Sequence, residues 1–272
     1  MLTLTVPSGH AGLWVETEGD GDAVVMLHAG VADRRMWRDS IAALAPGWKA
    51  VAYDRRGFGR TEHADEAYSH VADLLAVLDA VSPSRPAILV GCSQGGRIAI
   101  DTALAFPARV RALVLVAPGI TGAPEVTEFA PPIKALVDAL DAADAAHDLA
   151  RINALEAHAW LDGPAEKEGR VVGAARELFL DMNSIALEKE NRGNAIEAPA
   201  AYQRVGEIAV PTLVVWGDLD FPHIVENCRY LAATVPGAQS FVLPGTAHLP
   251  NLEQPAAFNR RLVDFCSAVR GS

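Results

Sequence analysis

The sequence predicts an α/β protein with a mainly parallel sheet that helices cover on both faces. Half of the residues are hydrophobic, which is enough for a sizeable core. Short apolar segments rich in β-branched residues recur along the chain, and helix-like stretches separate most of them. Alternation of this kind is typical of βαβ units, with the first strands forming an antiparallel hairpin. Strands are predicted at residues 13–16, 23–27, 50–53, 87–91, 113–117, 212–217 and 239–243.

The helical elements show the spacing expected of one apolar face. Between residues 68 and 81, apolar side chains recur at Val71, Leu74, Leu75 and Leu78. The same pattern predicts helices at residues 97–105 and 256–269.

The strand rhythm stops at about Gly119 and resumes after about Val210, so residues 119–210 are expected to form a helical insertion. Two amphipathic stretches, 133–149 and 171–187, lie within it. Because the alternation continues afterwards, we expect one core made of residues 1–118 and 211–272, with the insertion as a lid or cap upon it.

Composition excludes several functional classes. The net charge of −11 and the sequence pI of about 5.1 argue against nucleic acids and anionic membranes as partners. The first residues lack the charged and apolar regions of a signal peptide, so a cytoplasmic location is expected. Three scattered cysteines and no H-E-x-x-H pattern give no support for a disulfide framework or a metal site. Oligomeric state cannot be derived from these features, and a homo-oligomer remains open.

The most informative pattern is G-x-S-x-G at residues 91–95, directly after the predicted strand 87–91. A serine in such a strand-to-helix turn takes a strained backbone conformation, and its hydroxyl projects above the sheet. Ser93 is therefore a candidate nucleophile. Cys92, at the inward position of the turn, is expected to pack rather than react.

A serine hydroxyl needs a base, and the base needs an acid that fixes its tautomer. Asp218 and Asp220 follow the strand 212–217, and His248 follows the strand 239–243. The carboxyl ends of parallel strands meet at one edge of the sheet, so these residues can converge on Ser93. Both acids are candidates at this point. The order Ser, Asp, His accompanies this kind of turn.

Five segments together resemble the α/β-hydrolases of the capped, esterase- and lactonase-like kind. They are residues 27–30, 53–59, 91–96, 216–220 and 245–255, and they follow one another in the family's order. The resemblance implies an eight-stranded sheet, a helical cap between the sixth and seventh strands and a Ser-His-Asp triad. In the family's pattern the second acid, Asp220, faces the histidine, while Asp218 belongs to the turn. His28 is implied to brace its loop.

The oxyanion formed during acyl transfer needs two hydrogen-bond donors. One is expected from the backbone N–H of Gln94, the residue after the nucleophile. Alignment of residues 28–30 with the family's His-Gly-x pattern implies the N–H of Gly30 as the second. Alanine replaces the usual glycine at position 29, so the N–H of Val31 remains an alternative.

Other residues are assigned more general roles. Arg55 and Arg56 are expected to brace the loop that holds them, and Arg97 with Asp101 to form an i,i+4 pair on a helix surface. Apolar side chains that could line a pocket between core and cap, although core packing explains each equally well, are Val31, Trp37, Phe129, Trp160, Phe179, Met182, Phe221 and Leu249.

The sequence thus predicts a serine hydrolase of carboxylic esters or lactones that uses no cofactor and no metal. Related alternatives are a C–C bond hydrolase, an enol-lactonase, a perhydrolase and a cofactor-independent oxygenase. An alternative of a different class is a hydrolase-like protein that binds a small ligand with little or no turnover.

Overall fold

A computed structural model describes residues 1–189 and 193–270; Glu190 to Arg192, inside the predicted insertion, and Gly271 and Ser272 lie outside the described residues. The sheet has eight strands in the order β1-β2-β4-β3-β6-β7-β9-β10. The first hairpin and the β2–β4 pair are antiparallel, and all other neighbours are parallel. The prediction of a mainly parallel sheet is confirmed.

The strands of the large sheet are β1 (Leu2–Ser8), β2 (Ala11–Glu18), β3 (Ala23–Leu27), β4 (Lys49–Tyr53), β6 (Ala87–Cys92), β7 (Val110–Val116), β9 (Thr212–Gly217) and β10 (Gln239–Leu243). Two short strands, β5 (Ala67–Tyr68) and β8 (Asn194–Ala195), pair in a separate small sheet.

The α-helices are α1 (Arg38–Leu44), α2 (His70–Val81), α3 (Gln94–Ala105), α4 (Pro131–Ala145), α5 (Leu149–Ala157), α6 (Ala174–Glu188), α7 (Pro222–Thr234), α8 (Pro250–Glu253) and α9 (Pro255–Arg270). Helices α4, α5 and α6 all lie between β7 and β9, which are the sixth and seventh strands of the large sheet. A π-helical turn, His158–Asp162, extends α5.

The central strands are buried on both faces because helices lie above and below them. Along β6, Ala87 and Leu89 belong to one hydrophobic cluster, while Ile88 and Val90 belong to the other. Successive side chains of a strand point to opposite faces, so one continuous apolar run serves both clusters. Helices α2, α3 and α7 supply the first cluster, and α1 and α9 the second.

Two expectations need correction. Strand β1 was not predicted, because it is an edge strand in which only Val6 is buried. Arg97 and Asp101 have separate partners: Asp101 is buried and accepts a hydrogen bond from the Thr121 hydroxyl, while Arg97 forms an ion pair with Glu197 at 3.6 Å. Asp101 therefore anchors the segment that follows β7.

No helix within residues 1–189 and 193–270 combines the length and the apolar character needed to cross a membrane.

Candidate active site

Ser93 lies at the turn between β6 and α3 with φ 53° and ψ −116°, in the left-handed half of backbone space. Residues other than glycine rarely adopt such a φ. The surrounding structure must therefore keep Ser93 in this strained conformation. A Cβ at Gly91 would lie 2.3 Å from the Gly95 carbonyl oxygen, and one at Gly95 would lie 2.4 Å from the Leu27 carbonyl oxygen. The two glycines therefore let α3 start directly against β6 and β3.

The acid and histidine loops meet beyond the ends of β9 and β10. The Asp218 carboxylate accepts the Gly245 N–H at 2.6 Å, and the Thr246 carbonyl accepts the Leu219 N–H at 2.9 Å. A Cβ at Gly217 would lie only 2.1 Å from the Thr246 carbonyl oxygen. Glycine at this position is what permits the two loops to touch.

This contact brings Asp220 to His248. Nδ1 of His248 lies 2.7 Å from Oδ2 of Asp220, and both side chains are almost fully buried. The other carboxylate oxygen of Asp220 accepts its neighbour's backbone N–H, from Phe221, at 2.7 Å. A carboxylate can only accept, so Nδ1 carries the proton and Nε2 is left as the basic nitrogen.

The loop of His248 also lies against the serine turn. The Cys92 thiol, next to Ser93, is 3.8 Å from the His248 carbonyl oxygen. Burial raises the pKa of the Cys92 thiol well above its usual value, so this cysteine is an unreactive packing group.

Three backbone N–H groups at and near the serine turn are without a partner among the described residues. Among residues 1–189 and 193–270, the backbone N–H groups of Gly30, Val31 and Gln94 have no hydrogen-bond acceptor. A Cβ at Gly30 would lie 3.4 Å from Oε1 of Gln94, so the loop after β3 lies close to the start of α3. This arrangement leaves Gly30 and Val31 both open as the second donor.

Arg55 connects the loop after β3 to the start of α3. Its buried guanidinium donates to Oε1 of Gln94 at 2.7 Å and to the carbonyl oxygens of Ala29 at 3.1 Å and His28 at 3.3 Å. Burial lowers the pKa of Arg55 to about 10. Nε2 of His28 accepts the Arg55 N–H at 3.0 Å, so His28 has a structural role in this loop.

Aromatic side chains cover the histidine. The ring of Trp160, in the π-helical turn, lies 4.6 Å from the ring of His248 and 4.7 Å from that of Phe221. Among the residues named for a pocket, Val31, Phe179, Met182 and Leu249 share one buried cluster beside Trp160. Trp37 is fully buried and packs against Phe258 of α9, so its observed contact is with the core.

Comparisons with known proteins show the family of this chain. Residues 22–255 match the family described as alpha/beta hydrolase fold. The chain belongs to this family. It is 28% identical over 251 residues to a pimeloyl-[acyl-carrier protein] methyl ester esterase of Yersinia enterocolitica, covering 91% of this chain and 94% of the relative.

Two further comparisons extend over nearly the whole length of this α/β-hydrolase. A 2-hydroxy-6-oxononadienedioate/2-hydroxy-6-oxononatrienedioate hydrolase of Cupriavidus pinatubonensis is 28% identical over 271 residues, covering 92% of this chain and 88% of the relative. The structure of a thermophilic esterase from Thermogutta terrifontis superposes with a TM-score of 0.75 at 21% identity, covering 98% of each chain.

Two residues near the site of this α/β-hydrolase have contacts that the sequence does not predict. Glu253 accepts the Ala247 N–H at 2.6 Å, and Arg170 pairs with Glu253 at 2.5 Å. Glu253 lies in the motif segment 245–255, and this position is the feature of the sequence that could have pointed to it. Arg170 lies in an irregular stretch between α5 and α6, where nothing in the sequence distinguished it.

Substitution of Gly95 by alanine should destabilise this α/β-hydrolase. The new Cβ would meet the backbone of Leu27 and His28, which belongs to a buried strand end and cannot move aside. We expect the free energy of unfolding to fall by about 1–3 kcal/mol, the usual effect of overpacking. Urea unfolding followed by circular dichroism measures it. Gly206→Ala is the control, because its Cβ would meet no atom closer than 3.7 Å. Equal stability of the two variants would contradict the packing described for the turn.

Proposed function

We propose that this protein is a cofactor-free serine hydrolase that cleaves a small carboxylic ester or lactone through an acyl-enzyme. Ser93 is the nucleophile, His248 the general base and Asp220 the acid that orients the histidine. The observation that carries the proposal is the buried 2.7 Å hydrogen bond between Asp220 and His248, in a loop that contacts, through Cys92, the turn that holds Ser93 at φ 53°.

The first half of the reaction follows from this arrangement. Nε2 of His248 takes the proton of the Ser93 hydroxyl while the serine oxygen attacks the substrate carbonyl carbon. The buried Asp220 carboxylate stabilises the imidazolium that forms and keeps the ring oriented. The imidazolium then gives its proton to the departing alkoxide oxygen, and the acyl group remains on Ser93.

The negative charge that develops on the carbonyl oxygen is stabilised by backbone donors. The N–H groups of Gln94 and Gly30 are the proposed pair, with Val31 as the alternative to Gly30. Because these donors have no acceptor within the described chain, they are free to bind the oxyanion without breaking an existing hydrogen bond. Water, activated by His248, then attacks the acyl-enzyme and releases the acid.

Residues 119–210 are proposed to act as a cap over this site, upon a core made of residues 1–118 and 211–272. The support is the contact of Trp160, from the insertion, with His248 and Phe221 of the core. An apolar, aromatic wall beside the histidine favours the uncharged acyl or alcohol part of a small substrate. It also excludes water from the reacting atoms.

The relatives support hydrolysis as the reaction class. One is named as a methyl ester esterase, and the other as a 2-hydroxy-6-oxononadienedioate/2-hydroxy-6-oxononatrienedioate hydrolase. Both relatives are 28% identical to this chain, so the comparison does not favour one substrate over the other. An experiment must decide between them.

The experiment is a substrate panel run with the wild type and Ser93→Ala. It contains p-nitrophenyl acetate, p-nitrophenyl butyrate, a γ-lactone and a 2-hydroxy-6-oxodienoate. We expect turnover of an ester or lactone, and a loss of at least about 10³-fold in kcat for Ser93→Ala. Turnover of the oxodienoate alone would contradict the ester assignment. Equal activity of the two proteins would contradict the nucleophile.

Asp220→Asn should lower kcat much more than Asp218→Asn. An asparagine at position 220 can donate to Nδ1 of His248 and so favour the wrong tautomer, which costs about 10³- to 10⁴-fold in kcat. An asparagine at position 218 can still accept the Gly245 N–H, so we expect a change of less than about threefold. Initial rates on the best ester of the panel measure both variants. The reverse order would assign the catalytic acid to Asp218.

A further inference from the structure

Arg170 links the proposed cap to the loop of His248 through several hydrogen bonds, whereas an ordinary surface ion pair makes one or two. Its guanidinium donates to four acceptors: the carbonyl oxygens of Asp162 at 2.5 Å, Leu161 at 2.9 Å and Gly245 at 3.0 Å, and the Glu253 carboxylate at 2.5 Å. Two of these acceptors belong to the turn that carries Trp160. The other two belong to the segment around His248.

Glu253 connects Arg170 to Ala247, the residue before His248. One carboxylate oxygen accepts from Arg170, and the other accepts the Ala247 N–H at 2.6 Å. The Glu253 side chain is only 4% exposed. Burial raises the pKa of its carboxyl to about 7, and the Ala247 N–H and the Arg170 guanidinium act in the opposite direction. A buried carboxylate is destabilising without its cation, which here is the Arg170 guanidinium.

Arg170 is itself held in place by a buried acid. The fully buried Asp162 carboxylate accepts the N–H groups on either side of Arg170, from Gly169 at 2.7 Å and Val171 at 2.8 Å. It also pairs with Arg176 at 2.7 Å. The backbone around Arg170 therefore wraps around Asp162, which fixes the point from which the guanidinium reaches the core.

We propose that Arg170 is a positioning residue of the active site, which acts through Glu253 and the Gly245 carbonyl to hold His248 in its place against Trp160. The inference rests on the proposed function, because it assigns His248 as the base. Arg170 does not touch the reacting atoms. It fixes the two segments whose side chains meet at 4.6 Å beside them.

The chemistry of the side chain favours this role over a simple cap-to-core tether. A planar guanidinium can satisfy acceptors on two segments at once and so fix their relative orientation, which a point charge cannot do. Displacement of a catalytic base by about 1 Å can lower the rate 10²-fold. Loss of Arg170 should therefore lower kcat, with little effect on substrate affinity.

The test compares Arg170→Met, Arg170→Lys, Glu253→Gln and the double variant Arg170→Met/Glu253→Gln. We expect Arg170→Met to lower kcat at least tenfold with KM changed less than threefold. Arg170→Lys should recover only part of this loss. If Arg170 acts through Glu253, the loss in the double variant will be smaller than the product of the two single losses. Unchanged kcat, or losses that multiply, would overturn the proposal.

Arg151→Met is the matched control, because Arg151 is an exposed arginine on α5 of the same insertion. Hydrogen exchange read by mass spectrometry gives a second measure that needs no substrate. Exchange in residues 158–163 and 244–249 should rise in Arg170→Met and stay unchanged in Arg151→Met. If exchange in these residues does not rise, the proposed role of Arg170 is wrong. This result does not depend on the outcome for Ser93→Ala, which tests the proposed function separately. If Arg170→Met does not fold, Arg170→Lys and Glu253→Gln decide by the same measures.

Discussion

The close approach of α3 to β6 and β3 is the constraint on which the rest of the site depends. Gly91 and Gly95 have backbone neighbours at 2.3 and 2.4 Å from where a Cβ would lie, and Ser93 between them is held at φ 53°. This packing holds the serine in its strained conformation. It also sets the start of α3 beside the loop after β3. The serine hydroxyl and the free N–H groups of that loop therefore share one edge of the sheet.

A second close contact completes the site from the other end of the chain. Gly217 allows the loop after β9 to touch the loop after β10, and this contact brings Asp220 within 2.7 Å of Nδ1 of His248. The insertion, residues 119–210, adds a third layer, because the ring of Trp160 lies 4.6 Å from that of His248 and Arg170 donates to Gly245 and Glu253. Hydrogen bonds fix the geometry of the acid and histidine loops, and the ring of Trp160 adds an apolar surface beside the histidine. The proposed mechanism uses both features, because hydrogen-bonding groups stabilise charged intermediates and an apolar surface excludes water.

The core of the site could be predicted because its signals are local. Glycines beside a serine, and acidic or histidine residues just past strand ends, reflect backbone geometry within a few residues. The contacts of the insertion, residues 119–210, could not be predicted in this way. Arg170 and Glu253 are 83 residues apart, and their meeting depends on how the helices of the insertion pack on the core. Strand β1 was missed for a related reason, because an exposed edge strand buries too little to leave a clear pattern.

The central claim is that the Asp220–His248 pair activates Ser93. The most direct measurement is covalent labelling with a fluorophosphonate, followed by intact mass and peptide mapping, in the wild type and in His248→Gln. The account predicts one adduct per chain, on Ser93, and labelling slowed at least about 10³-fold in the variant. An adduct on another residue, or equal labelling rates in the two proteins, would contradict it.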